Sequence, residues 1–189
     1  MDFLVHHMLH TSAVRYPGKE ALVHGATRLS YRQVAEQCAG LAVGLRTAGL
    51  QRGERVGIFL DPSVPQVLSI FGVSQAGGVY VPINQVLFPD QVSHIARDCG
   101  MTVLITTKAK FATLLPVLNE IPTLKFVVLD AEVSSEESPL PVSVFDRLCR
   151  LQCPEPWKEV SIQNDLAAIL YTSGSTGKPK GVMLSHAQI

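Results

Sequence analysis

The chain has 189 residues, and its sixteen basic and sixteen acidic side chains balance. With no basic block either, nothing electrostatic points to nucleic acid. At 47% hydrophobic and 17% charged it can bury a core, which excludes wholesale disorder, and its length suits one domain or part of a larger one. The opening MDFLVHHMLH has an early acid and three histidines where a secretory signal would have a basic start and an apolar run. The uncharged stretch 62–89 is broken by Pro65, Gly77, Gly78 and Pro82, so no transmembrane segment is expected and a cytoplasmic protein is.

Taken in chain order, 4–16 reads as a helix stopped by Pro17 and Gly18. EALVHGATRLS alternates around Gly25 as a hairpin would. Ser30 and Gln33 form a capping box that opens a helix with Val34, Cys38, Leu41, Leu45 and Ala48 on one stripe, ended by Gly49. RVGIFL is a strand. Ser63 caps the next helix, with Pro65 in its first turn and Gly77–Gly78 as its stop. VYVPI follows as a strand, then a helix over 89–98 with Val92, Ile95, Ala96 and Cys99 on one face, and the strand TVLIT. A helix over 111–120 precedes KFVVL. A short helix near 144–151 separates surface loops near 131–141 and 152–164. LAAILY is an apolar strand that needs neighbours on each side, some of them expected beyond Ile189. Repeated strand–helix–strand units imply an α/β fold with mostly parallel strands flanked by helices.

Four cysteines, Cys38, Cys99, Cys149 and Cys153, show no metal-ligand spacing and read as reduced thiols. His6 and His10, with Asp2, share a helix face of a kind metals accept, although a solvated pair is the ordinary reading of such histidines. His186, just after Ser185, reads as a structural residue beside a helix cap.

The stretch that carries chemistry is YTSGSTGKPKG, 171–181. Glycines let a backbone approach a ligand and turn its N–H groups inward, hydroxyls add neutral donors, and lysine adds a point charge. Together these suit a polyphosphate. The ordinary P-loop of nucleoside triphosphatases does not fit. Thr172 stands where its first glycine belongs, and Pro179 follows Lys178 where a Ser or Thr should bind metal.

The same stretch, unbroken from Ile169 through Lys180 and continued by GVMLSH, resembles the phosphate loop of the AMP-forming adenylating superfamily of acyl-CoA synthetases, peptide-synthetase adenylation domains and firefly luciferase. LSYRQV and QAGGVYVPIN are similar to further segments of that family, in order and spacing, and cover nearly the whole chain. The resemblance implies that 1–189 is the N-terminal portion of the large adenylate-forming (AMP-binding) domain, incomplete and inactive by itself. It implies a parent enzyme that uses ATP, Mg²⁺ and CoA to convert a carboxylic acid to an acyl-adenylate with release of pyrophosphate, and then to a thioester. By the same resemblance Thr172, Ser173, Gly174, Ser175, Thr176, Gly177, Lys178 and Lys180 hold the β- and γ-phosphates, with Thr172 close to the metal and Lys180 neutralising charge in catalysis. Gln188 and Asn84 stand where many relatives carry Asn and Asp, outside the phosphate contacts. Within the family the chain looks most like a free-standing acyl-CoA synthetase for a fatty or other acyl acid. FLVHHMLH and ALVHGATRLSY are similar to AMP-forming ligases found beside bacterial exosortase systems. A peptide-synthetase domain that activates an amino acid, and a non-catalytic nucleotide-binding short form, remain open alternatives.

Overall fold

The computed structural model describes residues 3–134, 136–154, 156–172 and 179–189. Helix α1 (Val5–Arg15) stops at Tyr16, before Pro17. The hairpin β1 (Glu20–His24) and β2 (Thr27–Ser30) turns at Gly25, whose φ of 58° is the left-handed conformation that glycine adopts without strain. Ser30 then caps α2 (Tyr31–Thr47). Its Oγ accepts the Gln33 N–H at 3.3 Å, while Gln33 Oε1 accepts the Ser30 N–H at 2.8 Å. The expected stripe is buried from Val34 to Leu45, but Ala48 is the C-cap and is exposed, because the helix ends one residue before it.

A seven-stranded sheet follows: β3 (Arg55–Phe59), β4 (Val79–Pro82), β5 (Met101–Thr106), β6 (Phe126–Leu129), β7 (Val142–Val144), β8 (Leu166–Thr172) and β9 (Lys180–Ser185). Its spatial order is β7-β6-β5-β3-β4-β8-β9. Every pairing is parallel except β8 with β9. The chain thus winds from β3 to β4, returns across β3 to lay down β5, β6 and β7, and comes back to place β8 beside β4. Helices α3 (Val64–Ala76), α4 (Pro89–Cys99), α5 (Lys108–Leu114) and α6 (Phe145–Cys149) fill the crossovers.

Strand side chains alternate between two cores. Val56, Ile58, Tyr80, Val103, Ile105 and Val128 face α1, α2, α3 and α6, where Leu41, Leu45, Leu68 and Phe145 are buried. Val79, Val81, Leu104, Val127 and Leu129 face α4 and α5, against Val92, Ile95, Phe111 and Leu114. Both faces of the central strands are covered, which is why they read as continuous apolar runs. Each such Leu, Ile or Phe contributes about 1.5–3 kcal/mol of burial.

Helix α2 crosses α6 closely. A Cβ on Gly40 would stand 2.5 Å from the Cys149 carbonyl oxygen and 2.8 Å from that of Leu151, so only glycine allows this approach.

The structure corrects one expectation. The helix expected over 111–120 begins earlier, at Lys108, where Thr107 Oγ1 accepts the Lys110 N–H. Its second half is the 3₁₀ segment Leu115–Glu120, because Pro116 lacks the N–H that an α-helix would use. Both in-sheet neighbours of β8 lie within the chain, since β9 pairs with it antiparallel. Coverage of its faces is partial: Ala167, Ala168 and Ile169 are buried, whereas Leu166, Leu170, Val182 and Met183 of the β8–β9 hairpin are exposed. Beyond β9, Ser185 and Gln188 form a capping box on the turn His186–Gln188. Among the described residues no helix is long and apolar enough to cross a membrane.

Candidate functional site

Thr172 is the last residue of β8 and Lys180 the first of β9, and the two are register partners across the hairpin. Both are exposed. The segment between them springs from the end of a parallel strand beside the end of β4, where α/β sheets commonly bind ligands. Ser173, Gly174, Ser175, Thr176, Gly177 and Lys178 lie outside the described residues. Among the described residues no carboxylate makes an ion pair with Lys180, which leaves its charge available to an anion.

The base of this hairpin is built tightly. Gly181 pairs with Tyr171, and a Cβ there would meet Ile169 Cγ2 at 2.9 Å and Tyr171 Cζ at 3.1 Å. The Tyr171 hydroxyl donates to the Asp98 carboxylate at the end of α4. Burial first, and then this hydrogen bond beside a negative charge, push the phenol far above its ordinary range, so Tyr171 is a neutral positioning group.

Beside it opens a cavity of about 280 Å³ lined by Pro82, Asn84, Leu87, Gln91, Ile95, Tyr171, Thr172 and Pro179. Among the described residues no charged side chain lines it. Asn84 Oδ1 accepts the Val86 N–H at 3.2 Å, which fixes the turn leaving β4. The sequence treats VYVPIN as a packing element. The structure keeps that role for Val79, Val81 and Ile83, but brings Pro82 and Asn84 into the same cavity as Thr172. Only the pairing of β4 with β8 reveals this, and no local pattern announces that pairing. A cavity mouth with a threonine hydroxyl, close in register to a lysine that no described carboxylate pairs, suits phosphate oxygens. Among the described residues it offers Mg²⁺ one hydroxyl and no carboxylate, which fits a metal held mainly by substrate phosphates and water.

A second cluster lies at the other end of the chain. His6 is buried, with Nδ1 3.1 Å from Ser74 Oγ and Nε2 2.9 Å from Glu159 Oε2. His7 Nε2 lies 3.6 Å from the same oxygen. The sequence reads His6 and His10 as an ordinary solvated pair, but His6 is buried; His10 is not in this group of donors, and Asp2 lies outside the described residues. Adjacent positions on α1 converge instead, because Glu159 arrives from the distant 152–164 loop. His186 is buried, and its Nδ1 accepts the Val5 N–H at 3.1 Å, so it ties the end of β9 to the first turn of α1. Burial, and then the nearby His6, lower its pKa and keep this acceptor nitrogen free of a proton.

An α/β domain whose parallel sheet ends in a hairpin carrying a Ser-, Gly- and Lys-rich loop defines the class. The chain belongs to the AMP-binding enzyme family, whose description matches residues 9–189. It is 34% identical over 185 residues to syringomycin synthase SyrB1 of Pseudomonas syringae pv. syringae, covering 98% of this chain and 27% of that protein. It is 34% identical over 175 residues to a feruloyl-CoA synthase of Amycolatopsis sp., covering 92% of this chain and 31% of that protein. Its fold superposes on the anthranilate CoA ligase AuaEII, solved in complex with anthranoyl-AMP, with a TM-score of 0.87 at 27% identity over 98% of this chain and 35% of that one. The N-terminal domain of FACL13 from Mycobacterium tuberculosis gives a TM-score of 0.81 at 28% identity over 97% of this chain and 44% of that one. The chain thus spans about a third of the length of these relatives.

Proposed function

We propose that this chain supplies the triphosphate-holding part of an acid–thiol ligase. The enzyme joins a carboxylic acid to AMP, releases pyrophosphate, and passes the acyl group to the thiol of CoA. The single observation that carries the reading is the β8–β9 hairpin, which pairs Lys180, free of ion pairs among the described residues, with Thr172, itself at the mouth of a cavity.

In this reading the acid's carboxylate oxygen attacks the α-phosphorus of ATP, and the bond to the bridging oxygen of the β-phosphate breaks. Charge builds on the departing pyrophosphate. The hydroxyls of Thr172, Ser173, Ser175 and Thr176 and the loop's backbone N–H groups bind those oxygens, Gly174 and Gly177 permit the approach, and Lys178 and Lys180 offset the charge. Such fixed donors act without reorganising at the moment of reaction. Mg²⁺, when bound with the nucleotide, supplies further neutralisation, with the Thr172 hydroxyl as its ligand from this chain. We place the reaction in the cytoplasm, where ATP and CoA are available.

CoA is favoured as acceptor by the feruloyl-CoA synthase and the anthranilate CoA ligase, which also favour an aryl acid as substrate; a fatty acid is favoured by the similarity to a fatty acyl CoA synthetase of Mycobacterium tuberculosis. The similarity to syringomycin synthase SyrB1 favours a second reading, an amino acid as the acid activated. Pyrophosphate exchange into ATP tests both. The full-length protein should exchange label only with an acid present, and a panel of fatty, aryl and amino acids separates the readings. Exchange independent of any acid, or none with any class of acid, overturns the proposal.

A further inference from the structure

We propose that His6, His7 and Glu159 form a binding site for a single divalent transition-metal ion of the Zn²⁺ type, which clamps α1 to the 152–164 loop. The three donor atoms converge, with all of them within 4.8 Å of one another. A tetrahedral ion with bonds of about 2.0–2.2 Å sets its ligands roughly 3.3–3.6 Å apart. The two nitrogens stand 2.9 and 3.6 Å from Glu159 Oε2, so those two separations need shifts of a few tenths of an ångström; the two nitrogens, within 4.8 Å of each other, close the rest by rotation of the His7 ring, through at most about 1.5 Å.

The surroundings already orient each ligand. His6 is 6% exposed, and its Nδ1 is held by Ser74 Oγ on α3, the outer-shell partner that a metal-binding imidazole ordinarily has. Glu159 Oε1 accepts the N–H groups of Val160 at 3.0 Å and Ser161 at 3.3 Å, which leaves Oε2 to face the rings. The rings of His6 and His7 meet edge to face with centroids 4.6 Å apart, so their Nε2 atoms approach from different directions. At 3.6 Å, His7 Nε2 is beyond hydrogen-bond distance of the carboxylate and at the separation that two ligands of one tetrahedral ion take. Beside the donors lies a cavity of about 290 Å³, bounded also by Ala35, Gln75 and Trp157, with room for a water as fourth ligand.

Two imidazoles and one carboxylate select a borderline ion over Mg²⁺ or Ca²⁺, which prefer oxygen alone. Binding through His7 Nε2 puts that ring's proton on Nδ1, which opens the 3.4 Å contact from the Leu4 N–H. The ion joins positions about 150 residues apart in sequence, and it stabilises the folded chain only insofar as the unfolded chain binds it less.

The test is calorimetric titration of ZnCl₂ into the full-length protein after chelator treatment, with Co²⁺ absorption spectroscopy beside it. One ion should bind per chain. His7→Gln and Glu159→Gln should each weaken binding at least tenfold, whereas His10→Gln and His94→Gln should leave it unchanged. The Co²⁺ form of the wild type should show the intense visible bands of tetrahedral coordination, a readout that needs no variant to fold. Absence of stoichiometric binding, octahedral Co²⁺ spectra, or affinity undiminished in both His7→Gln and Glu159→Gln would each overturn the proposal.

Discussion

Replacing Gly40 by alanine tests the tightest contact in the core. Its Cβ would sit 2.5 Å from the Cys149 carbonyl oxygen, 2.8 Å from the Cys149 carbonyl carbon and 2.8 Å from the Leu151 carbonyl oxygen. All three are backbone atoms, so no side chain can rotate away. To reach an ordinary contact, α2 and α6 must separate by roughly 0.5–0.9 Å, and α6 carries the buried Phe145 and Cys149 with it. Overpacking of this kind costs about 1–3 kcal/mol, and rigid backbone neighbours put the site in the upper part of that range. Alanine returns about 1 kcal/mol through its better helix propensity. The net loss is about 1–2 kcal/mol, which for a domain of this size lowers Tm by roughly 2–8 °C. Gly44→Ala is the comparison. Its Cβ meets the Leu148 side chain, 2.7 Å from Cδ2 and 2.8 Å from Cβ; a rotamer change moves Cδ2 away but leaves Cβ in place, so the loss should be smaller than at Gly40 without vanishing. Thermal and urea denaturation of both variants decide the matter. A Gly40→Ala protein that melts at or above the wild type refutes the close-packing argument.

The remaining predictions concern the loop, a charge pair and the thiols. Lys180→Ala should slow pyrophosphate exchange roughly ten- to a hundredfold, the worth of one charged hydrogen bond, while the KM for the acid hardly moves; an unchanged rate removes Lys180 from the chemistry. Arg52 donates twice to Asp165, at 2.9 and 2.8 Å, and holds that carboxyl below its ordinary range. A depressed folded pKa gives stability that is complete above the unfolded value of about 3.9 and is lost as pH falls through the folded one. The Tm gap between wild type and Arg52→Gln should therefore be full at pH 6 and shrink below about pH 4, and a gap undiminished in acid would rule out the pair as its source. Burial raises the Cys149 thiol to about 12, with help from Asp146, and raises Cys38 as well. Alkylating reagents at pH 8 should spare both until denaturant is added, as read by peptide mapping, and native labelling of Cys38 at the denatured rate would contradict its burial.

The sequence announces the elements whose signals are local. Ser30 with Gln33, Ser63 with Gln66, and Gly77 in its left-handed conformation mark helix ends through hydrogen bonds that span only a few residues. The strands β3 to β6 are legible because two covered faces leave them almost wholly apolar. β7 and β9 are not legible. β7 is three half-buried residues, and β9 is mostly exposed, so neither shows alternation or an apolar run. At the candidate site the loop is plain in the text from its glycines, hydroxyls and lysines. The partnership of Asn84 with Thr172 is not, because it depends on β8 returning past four strands to lie on the far side of β4. The meeting of His6 and His7 with Glu159 is hidden for the same reason. A helix-face argument sees residues four apart, whereas tertiary contact here selects neighbours on α1 and a third group from a distant loop.

The hydrogen bond from the Val5 N–H to His186 has a consequence for the order of assembly. Its partners are 181 positions apart. At about 5–20 residues per second, the ribosome makes the second some 9 to 36 seconds after the first. Throughout that interval the amide at the start of α1 lacks its native acceptor, while α2, α3 and the strands β3 to β7 are made in turn and gain theirs. Non-local contacts of this kind form late, because they close the longest loops. The first helix can pack on α2 and α3 early, yet the amide that opens it is among the last to be satisfied, waiting on the residue that follows β9.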